Sequence, residues 1–299
     1  MEYSIFKELI LEALKERFGE ECQIEYKEVL KNNGVKLDGV IVRQNNCVVS
    51  PTVYVNDYYE DFSDGENIND IADIIERLIR DNTIEDEFDA DELILFDNVK
   101  DRIVFKLINF ERNKELLNTV PYKKYLDLAI VYYISVKEDI FECASILINN
   151  SHLKLWNKTL EEIDELAVKN TPFILKPELK SMGQTLKEIM FNSDDNGIDE
   201  EDFENCYMYV LTNEKKQFGA ATILYDNELK DFSERIESDF YIIPSSVHEV
   251  IIIPSKFVDS SDSLDEMICE VNSSQVPLVD ILSDHAYKYN RADKCVSLG

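Results

Sequence analysis

The chain has 299 residues, of which 44% are hydrophobic and 10% aromatic; the length predicts about two domains, and the apolar content excludes a mainly disordered chain. Basic residues number 31 against 61 acidic ones, a formal net charge of −30, which opposes direct binding to nucleic acid or to an anionic membrane. The six cysteines are widely spaced with no CxxC pair, so neither a zinc knuckle nor a dithiol redox pair is visible, and free thiols, mostly in the core, are expected.

The first residues are charged from Glu2 onward and lack the basic-then-apolar order of a secretory leader. No apolar run approaches the roughly 18 residues of a membrane span, so a cytoplasmic protein is expected. Ile5, Phe6, Leu9, Ile10, Ala13, Leu14 and Phe18 recur at helical spacing and predict a helix over 2–18 that stops at Gly19. Strands are predicted over 22–30, 36–43 and 47–55, separated by Asn32-Asn33-Gly34 and Gln44-Asn45-Asn46. A helix over 66–81 follows, with Ile68, Ile71, Ile74, Ile75, Leu78 and Ile79 on one face. The first segment therefore reads α-β-β-β-α. Between Asp57 and Asp97 stand sixteen acidic residues against Arg77 and Arg80. Such a run is either the solvated face of the helix with an acidic loop, or a binding surface for a cation or a basic protein partner.

Strands are predicted next over 102–110 and 126–135. Thr159-Leu160-Glu161-Glu162 forms a capping box, opening a helix that Asn170 and Pro172 are expected to end, and a second helix is expected over 177–190. The acidic, turn-rich stretch 194–204 reads as the main linker. The last third predicts strands over 206–212 and 217–225, a helix over 227–236, strands over 240–243 and 249–253, and a helix to about 272 opened by Ser263-Leu264-Asp265-Glu266.

Shifting the chain by 77 residues aligns 132–150 with 209–227 without a gap, and six of those nineteen positions are identical: Tyr132/Tyr209, Phe141/Phe218, Ala144/Ala221, Ile146/Ile223, Leu147/Leu224 and Asn150/Asn227. Each stretch reads as strand, charged turn, strand and Asn-led helix, which predicts two pseudo-repeated β-hairpin-plus-helix modules. The fold class is thus α+β: an acidic α-β-β-β-α module over 1–98, a first hairpin-helix module over 99–192 and a second over 206–299.

Catalytic motifs are incomplete. No glycine-rich phosphate loop is present. His248-Glu249-Val250-Ile251-Ile252 has Ile where a zincin needs its second His. The stretch 192–203 resembles a calcium loop but ends on Phe203, where that loop needs a bidentate Glu. No catalytic residue, metal ligand or cofactor is assigned. His152 stands beside Trp156 in a helical stretch, and His285 follows Ser283-Asp284. The corner Ser245-Ser246-Val247-His248-Glu249 supplies the candidate ligand-binding residues Ser245, Ser246, His248 and Glu249: in an extended chain Ser246 and His248 share one face, where a hydroxyl and an imidazole can hold a polar ligand. With an acid from elsewhere they could also support nucleophilic chemistry.

The stretches 31–39 (Lys31-Asn32-Asn33-Gly34 through Asp38-Gly39), 102–111, 126–133 and 244–250 resemble a bacterial family of uncharacterised proteins, a domain of unknown function found largely in anaerobic Gram-positive gut bacteria. The resemblance spans almost the whole chain and implies a cytosolic bacterial protein; the family has no assigned catalytic residue to carry over. The C-terminal half is more distantly similar to a second uncharacterised bacterial family, through 156–159 and either 144–147 or 221–224, with the order of elements partly kept. Three functions follow as expectations: a non-enzymatic binding or interaction protein, an acidic nucleic-acid mimic acting on DNA-binding proteins, and a hydrolase or small-molecule enzyme with a cleft near Ser246 and His248.

Overall fold

The computed structural model describes residues 2–19, 21–43, 47–49, 51–85, 94–136, 145–191, 207–258 and 260–299. The predicted linker over 194–204, the calcium-loop-like stretch 192–203 and the turn Gln44-Asn45-Asn46 lie outside them. The chain is α+β with antiparallel sheets and divides into two compact units: 1–31 with 35–94, and 32–34 with 95–299.

In the first unit, α1 (Tyr3–Phe18) buries Phe6, Ile10, Ala13 and Leu14 and stops at Gly19, whose φ of 79° lies in the left-handed region. Strands β1 (Gln23–Leu30) and β2 (Lys36–Arg43) pair antiparallel from Gln23↔Arg43 to Leu30↔Lys36. The strand expected over 47–55 is two strands in different sheets. β3 (Cys47–Val49) pairs with β5 (Ile84–Glu85), while β4 (Thr52–Tyr54) pairs with β2. Pro51 stands between them, and a residue without an N–H cannot carry a ladder across. Helix α2 (Asn56–Ser63) was not expected. In α3 (Ile68–Asp81) Asn67 caps the start by accepting from the Asn69 N–H at 2.8 Å. Its inward side, Ile71, Ala72, Ile75 and Ile79, closes on α1, Val40 and Val42 to make this unit's core. Arg17 of α1 bonds Asp73 and lies within 3.5 Å of Glu76 on α3.

The second unit holds two larger sheets. In one, β6 (Ile103–Asn109) and β7 (Tyr122–Tyr125) flank β8 (Leu128–Ser135), and β9 (Ser145–Leu147) also pairs with β8. The other runs β10 (Pro177–Ser181), β11 (Tyr209–Asn213), β13 (Val250–Pro254), β12 (Phe240–Ile243), β14 (Tyr287–Asn290), β15 (Cys295–Leu298). The helices are α4 (Phe96–Val99), α5 (Lys114–Leu117), α6 (Asn150–Trp156), α7 (Leu160–Ile174), α8 (Met182–Phe191), α9 (Glu228–Ile236) and α10 (Ser261–Ser274). One core joins the sheets through Phe105, Leu107, Tyr132, Ile134, Leu211, Phe240, Ile242, Val250, Ile252 and Tyr287.

Several sequence expectations change here. The 177–190 helix is a strand, β10, followed by α8, because 177–181 pairs with β11 over its whole length. Helix α7 passes Asn170 and Pro172 to reach Ile174. Asn170 does not end it: the amide turns inward to donate to the Lys100 and Ile103 carbonyls. Helix α10 is capped by Ser260, which accepts from the Ser263 N–H, so Ser263 lies inside the helix. Cys22, Cys269 and Cys295 are free thiols, as expected, but Cys22 is half-buried and the other two are exposed, so none of these three takes the expected core placement.

The second repeat copy lacks its hairpin. The predicted strand over 217–225 is a 3-10 segment, Gly219–Leu224, with Gly219 through Ile223 buried. Its apolar run has the composition of a buried strand, yet it packs against β6 and β11 without joining a sheet. What the copies share is a strand and, further on, a helix entered at an Asn: Asn149 and Asn150 at α6, Asn227 at α9. The turn of the first copy, 137–139, lies outside the described residues.

Candidate functional site

The β12–β13 connection, 244–249, is a tight corner held by its own polar groups and by the Asp280 carbonyl. The Ser246 N–H donates to the Glu249 carbonyl at 3.2 Å and the Val247 N–H to the Asp280 carbonyl at 2.8 Å. The Ser246 hydroxyl oxygen accepts from the His248 N–H at 3.0 Å, so serine and histidine are joined through the main chain, not through the ring.

The imidazole faces two other elements. Nδ1 accepts the Phe218 N–H at 3.2 Å, and Nε2 lies 3.4 Å from Asp280 Oδ1. The bond at Nδ1 assigns the neutral tautomer: its proton sits on Nε2, toward the carboxylate. Phe218 is in the left-handed region (φ 53°, ψ 30°) and its ring lies parallel to the imidazole, centroids 5.6 Å apart. Tyr133 meets Phe218 edge-on at 5.3 Å, and Lys106 brings its ammonium 3.9 Å from the Phe218 centroid. Burial pushes the Tyr133 hydroxyl well above the ordinary tyrosine range, which keeps it neutral.

A nucleophile–base pair needs the hydroxyl bonded to an imidazole nitrogen with a free lone pair. Here the Nδ1 lone pair is taken by a backbone N–H and Ser246 Oγ by another. The Ser245 and Glu249 side chains make no hydrogen bond or ion pair among the described residues. Phe218 and Asp280, the two residues that hold the imidazole, come from distant stretches of chain and carry no local motif. His285 bonds Asp265 through Nδ1 at 3.1 Å, and His152 caps α6 with Nδ1 accepting from the Asn149 N–H. Among the described residues no group of three His, Cys, Asp or Glu side chains is placed to hold a metal ion, and no helix is long and apolar enough to cross a membrane.

The acidic stretch takes shape on α2 and α3. Asp57, Glu60, Asp61, Asp64, Glu66, Asp70 and Asp81 make no ion pair among the described residues. The outward side of α3 interrupts this charge with two apolar side chains one turn apart, Ile74 (44% exposed) and Leu78 (38% exposed). The sequence pattern assigned both to the buried face; the face that packs on α1 is narrower and ends at Ile71, Ile75 and Ile79. The part of the stretch over 86–93 lies outside the described residues.

Two cavities of the second unit lie away from the 244–249 corner: neither is lined by Ser245, Ser246, His248 or Glu249. One family model matches the chain, over residues 3–291: a family of unknown function, DUF5688. No curated protein and no solved structure matches.

Proposed function

The chain belongs to DUF5688, a family of unknown function, and from that premise we propose that it is a non-enzymatic binding protein whose first unit engages a basic, amphipathic protein segment on the outward face of α3. The observation that carries this reading is the exposure of Ile74 and Leu78 on α3 of a unit whose α2, α2–α3 connection and α3 carry seven carboxylates without an ion pair among the described residues. Unpaired carboxylates attract a basic partner over several ångströms, and two neighbouring apolar side chains give it a dry contact. A nucleic-acid mimic needs carboxylates spaced like phosphates along one surface, and apolar side chains in the middle of the face favour a protein partner over that alternative. The engaged Ser246 hydroxyl and His248 ring speak against the hydrolase alternative. The bacterial, cytosolic setting is part of the same proposal and rests on the sequence resemblance.

The test is a titration of the full chain with a cationic amphipathic helical peptide and with polylysine of equal charge. The peptide is expected to bind more tightly, and the double substitution Ile74→Ser, Leu78→Ser is expected to remove that advantage while leaving the salt-sensitive part intact. Equal binding of both ligands, unchanged by the double substitution, would sink the reading.

A further inference from the structure

The second unit carries a cavity of about 530 Å³ lined by residues of β10, α8, β11, α9, β13 and the 3-10 turn Ser255–Phe257. This volume is in the range of small-molecule sites. Its charge runs against that of the chain. No lining residue is acidic, and two are cationic, Arg235 and Lys256. Both are exposed, and neither makes an ion pair among the described residues. They are steadied by rings instead: the Arg235 guanidinium lies 5.1 Å from the Phe232 centroid and the Lys256 ammonium 4.9 Å from that of Phe257. In a chain with 61 acidic residues against 31 basic, two cations line one cavity with no carboxylate among the described residues paired to either.

The rest of the wall is suited to a flat ring. Tyr207 and Phe257 stack face to face, centroids 4.0 Å apart and planes 14° from parallel, and both remain open, at 52% and 43% exposure. An aromatic pair usually buries its faces; this one stands at the cavity with area to spare. The first turn of α8 lines the same cavity. Ser181 accepts from the Gln184 N–H and Gln184 from the Ser181 N–H, each at 3.2 Å, and both residues face the cavity. That capping box fixes the positive end of a ten-residue helix at the wall.

We infer that this cavity binds a small anion carrying a planar ring, of the size and chemistry of a nucleoside monophosphate, with Arg235 and Lys256 on the phosphate and the Tyr207–Phe257 pair beside the base. The overall charge selects against a polymer: a nucleic acid would meet the acidic surface along its length, whereas a small anion responds to the field within about 8 Å, the screening length at physiological salt. The rings select against a bare inorganic anion, which has no use for them. The binding needs no glycine-rich loop, because side chains rather than backbone amides meet the phosphate. It is independent of the α3 face, so Ile74→Ser, Leu78→Ser leaves it unchanged.

The test is calorimetric titration of the full chain at physiological salt with the four ribonucleoside monophosphates, the corresponding nucleosides and inorganic phosphate. At least one monophosphate is expected to bind about tenfold or more tightly than both its nucleoside and phosphate. Arg235→Gln and Lys256→Gln are each expected to weaken it by about tenfold, the worth of one charge-assisted hydrogen bond. Phe257→Leu, which keeps an apolar side chain but removes the plane, is expected to weaken the monophosphate and leave phosphate unchanged. The inference is overturned if no monophosphate binds at millimolar concentration, if phosphate alone binds as tightly, or if the Arg235→Gln, Lys256→Gln double variant, folded by circular dichroism, binds as the parent does.

Discussion

The Phe218 N–H donates to Nδ1 of His248 at 3.2 Å across thirty residues of sequence, and their rings lie parallel, 15° apart. That bond holds a bulky residue in the left-handed region, where it otherwise pays a conformational penalty. His248→Ala removes both the acceptor and the stacked ring, and is expected to cost about 1–3 kcal/mol. His248→Asn places a carbonyl oxygen near the position of Nδ1 and is expected to recover part of the loss. Urea unfolding of the three proteins decides it: equal midpoints for Ala and Asn would show that the Nδ1 bond contributes nothing.

Gly219, the next residue, sits where no side chain fits. A Cβ built there would lie 2.2 Å from Thr212 Oγ1, 2.4 Å from the His248 carbonyl oxygen and 2.9 Å from the Asn213 nitrogen. Thr212 Oγ1 donates to that same carbonyl at 2.8 Å, so an added methyl enters the space between donor and acceptor. Gly219→Ala is expected to destabilise the second unit by about 3 kcal/mol, the upper end of overpacking costs. Adding Thr212→Ala relieves the hydroxyl clash and leaves the two backbone clashes, so the double variant is expected to stay well below the parent in thermal unfolding. Full rescue would locate the strain in the threonine alone.

These residues mark where sequence patterns stop being informative. The α1 and α3 helices were legible because burial repeats every three to four residues, as in Phe6, Ile10, Ala13 and Leu14. The 3-10 segment at Gly219–Leu224 reads as a strand in sequence because a short apolar run looks the same whether it enters a sheet or packs against one. Strands β14 and β15 were missed: Tyr287–Asn290 is too short for a period to emerge, and Cys295–Leu298 is largely exposed. His248 stands out in sequence through its neighbour Ser246, but its ring partners, Phe218 and Asp280, lie thirty and thirty-two positions away. The basic cavity was invisible for the same reason: Tyr207, Arg235, Lys256 and Phe257 meet through the sheet order, and no local spacing encodes a sheet order.

Asn33 illustrates a turn residue with a second task inside the unit to which Asn32–Gly34 belongs. Its φ of 58° is one that Asn and Gly adopt most readily. Its amide nitrogen donates to the Leu278 and Ile281 carbonyls, each at 2.7 Å, and its Oδ1 accepts from Asn113 Nδ2 at 2.9 Å. Asn33→Gly keeps the backbone and strands two carbonyls, an expected loss of about 2 kcal/mol. Asn33→Asp keeps the shape but points carboxylate oxygen at those carbonyls, so it is expected to cost more than Gly. Denaturant titrations should rank parent above Gly above Asp; Asp at or above Gly would mean that the amide donors do not hold 278–281.

His152 offers a pH-dependent readout from the chain's single tryptophan. Its imidazole stacks on Trp156 at 5.3 Å, with planes 16° apart, and Nδ1 accepts the Asn149 N–H at 3.1 Å. Burial lowers its pKa below the ordinary 6.5, because the half-buried ring resists taking a charge. Protonation would also place a proton on the nitrogen that accepts the Asn149 amide. The sign follows: the unfolded chain takes up the proton first, so the stability from neutral His152 is full above pH 6.5 and is lost as pH falls from there through the lower folded value. An imidazolium against the indole face quenches its emission, so Trp156 fluorescence of the folded protein is expected to titrate with a midpoint below 6.5. His152→Gln, which retains a carbonyl acceptor, is expected to abolish that titration and to flatten the pH dependence of the unfolding midpoint below pH 6.5. A transition that persists in the glutamine variant would assign the quenching to another group and remove His152 from the account of acid sensitivity.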